Sequence, residues 1–127
     1  MSPMSRALTG PNLTFDLAGQ IEELRRDENY ARTGRVGRTL AKDGSLRLTL
    51  VLIAKGVEVG THHAESPMTL QPVKGRLHYR VGDRHFEIGA GELLYFGPGH
   101  AQDIHAVDDT AILLTITCPE AGDDATS

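Results

Sequence analysis

The stretch that decides the fold reads Gly56-Val57-Glu58-Val59-Gly60-Thr61-His62-His63-Ala64-Glu65 and continues through Met68-Thr69-Leu70-Gln71-Pro72-Val73-Lys74-Gly75. A second stretch echoes it: Gly91-Glu92-Leu93-Leu94-Tyr95-Phe96-Gly97-Pro98-Gly99-His100-Ala101-Gln102. Each is a strand pattern closed or interrupted by glycines. Each carries side chains able to bind a metal or a polar ligand. Successive strand residues point to opposite faces, so His62, Ala64, Met68 and Leu70 share one parity, and His63 and Glu65 the other. Met68 and Leu70 are the apolar members of their strand, so their parity is expected to face the interior.

The same rhythm runs outward in both directions. Short apolar or alternating runs are separated by turn residues from residue 36 onward, as in an antiparallel sandwich or barrel. Residues 36–42 end at Asp43-Gly44, a strong hairpin signal. Residues 46–54 carry Arg47 and Thr49 on one face, and Leu46, Leu48, Leu50 and Leu52 on the other. Leu77, Tyr79 and Val81 alternate with Arg76, His78 and Arg80, and Gly82-Asp83 turns the chain again. A β-branched and leucine-rich run over 110–117 closes the pattern. Pro72 lacks a ladder donor and marks a bulge or an edge. Ahead of the strands, Leu17, Ile21 and Leu24 fall at helical spacing, with Asp16 placed to cap the amino end. The expectation is an all-β domain over 13–118 with a short amphipathic N-terminal helix packed outside it. Residues 1–12 read as a flexible tail and 119–127 as a polar one.

Composition narrows the function classes. The chain has 127 residues, 39% hydrophobic and 24% charged, with a formal net charge of −4. That is enough for one domain with a core of its own. No basic cluster points to nucleic acid, and no apolar run reaches membrane-span length. The lone Cys118 excludes an internal disulfide. The expected location is cytoplasmic.

The two glycine-framed stretches resemble the two motifs of the cupin superfamily, and the resemblance covers roughly residues 38–117. In particular the chain looks like a group of small, largely uncharacterised bacterial single-domain cupins. It rests on Gly56, Lys74-Gly75, Gly89-Ala90-Gly91-Glu92, Gly97-Pro98-Gly99 and Asp103-Ile104-His105-Ala106. It implies an RmlC-like jelly-roll β-barrel of two antiparallel sheets. In metal-binding members, two histidines and a glutamate of the first motif converge with a histidine of the second. Counted from Gly56, those positions fall here on His62, Ala64 and Met68. Counted from Gly91, the last falls on Gln102. One of the four usual ligands is therefore kept, His62. Counting back from Gly75 with the longer spacing selects Thr61 and His63 instead.

The cavity residues expected to meet a ligand are His62, Gln102, Met68, Leu70 and His100. A metal, if held, would draw on His62 and Gln102, with His63 or Glu65 joining only where the chain around Gly60 is irregular. A divalent zinc, iron, nickel, manganese or copper ion suits imidazole and carboxylate, whereas a glutamine amide is a weak donor. No Gly-x-Ser-x-Gly elbow, phosphate loop or dinucleotide fingerprint is present, and no catalytic residue is singled out. Three functions compete: a small-molecule binder with no metal or a weakly held one, a metal-dependent dioxygenase or isomerase, and a dimeric interaction module. The resemblance also implies a homodimer.

Overall fold

The computed structural model describes residues 9–63, 66–97 and 101–117, leaving aside the side chains of 60–63, 96, 101 and 102. The predicted helix is α1, Leu17–Arg25, and Asp16 caps it, its Oδ1 accepting the Gly19 N–H at 3.2 Å. Ile21 and Leu24 form its buried face. A second helix that the periodicity did not suggest follows at once: α2, Glu28–Thr33. Its ends are set by local chemistry. Asp27 accepts the Asn29 N–H at 2.7 Å, and Gly34 takes the left-handed conformation at φ 81° while its N–H reaches the Tyr30 carbonyl. Any side chain on Gly34 would also run into Val57.

Among the described residues nine strands follow: β1 (Arg35–Asp43), β2 (Leu46–Ile53), β3 (Glu58–His63), β4 (Met68–Lys74), β5 (Arg76–Val81), β6 (Arg84–Gly89), β7 (Leu94–Phe96), β8 (Ala101–Ala106) and β9 (Thr110–Thr117). They form a five-stranded sheet in the order β1-β2-β9-β4-β7 and a four-stranded sheet in the order β3-β8-β5-β6. All pairings are antiparallel. The result is the antiparallel two-sheet barrel expected from the strand rhythm, and the jelly roll that the cupin resemblance implied.

The five-stranded sheet is apolar on both sides, and this explains the unbroken apolar run of β2. Leu50 and Leu52 join Leu40 and Ala111 beneath Ile21 and Leu24 of α1. Val51 and Ile53 point the other way and pack with Met68, Leu70, Ile112 and, from the second sheet, Leu77, Ile88, Ile104 and Ala106. One layer of side chains thus seats the helix, and the alternate layer lines the barrel.

Pro72 and Gly75 shape one end of the barrel. Pro72 is buried, and the β4–β9 register shifts between Pro72 and Lys74. Because β7 pairs with β4 only as far as Leu70, no ladder partner on that side misses the absent donor of Pro72. Gly75 turns the chain from one sheet into the other at φ 90°, where a Cβ would lie 2.4 Å from the Asp109 carbonyl oxygen. The neighbouring Thr110 is buried. Its hydroxyl accepts the Arg76 N–H at 3.2 Å and lies within donating distance of the Arg76 and Asp108 carbonyls. The corner is therefore closed by hydrogen bonds as well as by close approach.

Candidate ligand cavity

Between the sheets the inner layer does not fill the barrel. A cavity of about 600 Å³ remains, walled by Val51, Ile53, Val59, Met68, Leu70, Ile104, Ile112 and Leu114. Four strands of the five-stranded sheet and two of the other supply this lining with the rim. That volume falls in the range of small-molecule sites, roughly 300–1,000 Å³. The walls offer methyl and methylene groups and one thioether. The rim differs. Asn29 and Thr33 of α2 and Arg35, Val36 and Gly37 of β1 border the same space.

Helix α2 and its cap set that rim. The Thr33 hydroxyl lies 2.7 Å from the Asn29 carbonyl oxygen and 3.1 Å from that of Arg35, and accepts the Arg35 N–H at 3.3 Å. This ties the end of α2 to the first residue of β1. Arg35 then pairs with Ile53 across the β1–β2 ladder and shares a strand face with Gly37, which also borders the cavity. The sequence reading singled out none of Asn29, Thr33 and Arg35. Part of the signal was present: Asp27 as a cap and Gly34 as a stop, which together place Arg35 at the start of the next strand.

Of the residues expected at the site, Met68 and Leu70 line the cavity. Met68 occupies the motif's glutamate position and is 5% exposed, so a thioether stands in the wall there. His62 and Gln102 are Cα partners across the β3–β8 ladder, and His63 pairs with Ala101. The ladder slips between Val59 and His62: Val59 faces Ile104, yet His62 faces Gln102. One extra residue on β3 thus interrupts strict alternation around Gly60. Glu65 and His100 lie outside the described residues.

The described residues do not fit a transition-metal centre in the cavity. Among them no group of three His, Cys, Asp or Glu side chains is gathered within reach of one ion. The described walls offer one sulfur and no imidazole or carboxylate.

The outer face of the four-stranded sheet is chemically opposite. Glu58, His78, Arg80, His85, Asp103 and His105 surround a polar depression there. His85 Nδ1 and His78 Nε2 lie 3.2 Å apart, one donating and the other accepting. Arg80 pairs with Asp103, and His105 faces His78 across β5–β8 with Glu58 3.6 Å from its Nδ1. The alternation in β5 foretold this outward row, but not that four strands would assemble it. Tyr79, on the opposite face of β5, packs against the barrel core and stacks on Phe86. Burial pushes its phenol up, partly offset by the Arg84 guanidinium.

No family model and no curated protein matches this sequence. Solved structures do match. A cupin superfamily protein from Desulfitobacterium hafniense is 15% identical and superposes with a TM-score of 0.71, over 89% of this chain and 97% of its own. A cupin-2 domain protein from Shewanella frigidimarina is 14% identical with a TM-score of 0.68, covering 82% and 94%. A conserved protein of unknown function from Streptococcus pyogenes is 22% identical with a TM-score of 0.63, covering 71% and 79%. With the strand order, the two sheets and the hollow between them, these likenesses show that the chain has the cupin fold.

Proposed function

We propose that this protein binds a small, predominantly apolar molecule inside the barrel, with no metal or a weakly held one. The observation that carries the reading is the cavity of about 600 Å³ walled by aliphatic side chains and Met68. Apolar surface of this kind gains free energy by leaving water, about 25 cal/mol per Å² covered. Placing His62 and Gln102 opposite each other on β3 and β8 supports a polar contribution from that end of the ladder.

The test is a thermal-shift and calorimetric screen of small apolar and amphipathic compounds, on the wild type and on Val51→Trp, which sets an indole into the cavity. A binder raises the wild-type melting temperature with saturation, because a ligand at about 100 times its Kd adds roughly 2.7 kcal/mol. The variant should not respond. An equal response from both proteins would reject the cavity as the site. Plasma mass spectrometry of untagged protein and of His62→Ala addresses the metal. A near-stoichiometric ion lost in the variant would favour a metal-dependent enzyme of the dioxygenase or isomerase type over a binder.

A pairing of two copies is a second reading. It is favoured by Leu93 and Tyr95, 62% and 64% exposed at the β7 edge of the five-stranded sheet. Sedimentation of the wild type and of Tyr95→Ser tests it, and a monomer at all concentrations in the wild type would reject it.

A further inference from the structure

From the rim of the cavity we infer the class of ligand: an apolar body bearing one carboxylate, with the carboxylate held by Arg35. This rests on the cavity reading above. The walls contain no charge among the described residues, so the ligand's body is hydrocarbon. Among the described residues the rim holds one cation. Arg35 is exposed, borders the cavity, and no carboxylate pairs with it among the described residues. The next arginine along, Arg38, is by contrast committed to Glu23 of α1 at 2.7 Å. Arg35 and Arg38 have opposite parity in β1, and Arg38 is the one that reaches Glu23 of α1.

Asn29 completes the rim. Its Oδ1 accepts from Arg32 at 2.7 Å, so its amide N–H groups remain for an acceptor at the mouth. A guanidinium fork with a neighbouring amide donor matches a carboxylate's two oxygens. A phosphate dianion would call for more positive charge than one arginine on a chain of net charge −4. Arg47 is the competing anchor. It shares the β2 face of Val51, and its Nε is buried with no hydrogen-bond partner among the described residues. It pairs with Lys42 and Ile116 along the ladders and does not border the cavity.

The experiment is calorimetric titration of octanoate and of 1-octanol at neutral pH into the wild type, Arg35→Gln and Arg47→Gln. Circular dichroism checks each fold. The wild type should prefer octanoate about tenfold, as for one charge-assisted contact at a partly open site. Arg35→Gln should bring the two affinities together by weakening octanoate alone, and Arg47→Gln should keep the preference. Equal affinities in the wild type, or a preference that survives in Arg35→Gln, would overturn the inference while leaving an apolar binder standing. If neither compound binds, the cavity reading fails and this inference fails with it.

Discussion

The two apolar clusters of this protein are built from the same residue types and differ in one respect. The cluster under α1, with Leu40, Leu50, Leu52, Ile21 and Leu24, is closed over by the helix. The cluster between the sheets, with Met68, Leu70, Ile104 and Ile112, surrounds a hollow. A single strand, β2, serves both with alternate side chains. Aliphatic composition therefore does not separate a structural core from a binding cavity; what covers each layer does. A helix has the length and the apolar stripe to fill its side. Two sheets curved into a barrel leave space wherever their side chains are too short to meet.

The comparison predicts that changes under the helix act on stability, whereas a change that fills the hollow acts on binding. Leu50→Ala, at 0% exposure under α1, should lose about 3 kcal/mol of stability in chemical denaturation, because it opens a void in a filled layer. It should leave ligand affinity unchanged in variants still folded at the assay temperature. Gly75→Ala should cost about 2 kcal/mol through left-handed strain and the close Asp109 carbonyl, loosening the corner that joins the sheets. Asp16→Ala should cost about 1 kcal/mol by uncapping α1, again without changing binding. Val51→Trp should change stability least, by under about 1 kcal/mol, because the added volume enters empty space, yet it should abolish binding. A Val51→Trp loss as large as that of Leu50→Ala would mean that the inner cluster is packed after all.

Much of the fold could be read from the sequence, for reasons visible in particular residues. Asp43-Gly44 and Gly82-Asp83 fix hairpins locally, and Asp16 with the Leu17, Ile21, Leu24 spacing defines α1. Pro72 announced a bulge or an edge because its missing donor can be accommodated in few places, and the β4–β9 register does shift there. Helix α2 was hidden because six residues are too few for hydrophobic periodicity, leaving only its caps as signals. The site was less legible. Leu46, Leu48, Leu50 and Leu52 drew attention to one face of β2, but sequence alone does not say that this face seats the helix and that Val51 and Ile53 line the hollow. Arg35 could be placed at the rim only once α2 and β1 were joined through Thr33. The outer cluster of His78, His85, His105 and Glu58 depends on the β3-β8-β5-β6 order, which no local pattern specifies.

The most direct measurement is a methyl-resolved NMR titration of the wild type with 1-octanol, reading both clusters at once. The account predicts saturable shifts for the methyls of Val51, Val59, Leu70, Ile104, Ile112 and Leu114, with those of Leu40, Leu50 and Leu52 left in place. Shifts confined to the α1 side, or to exposed Leu46 and Leu93, or equal in both clusters, would contradict the barrel cavity as the binding site.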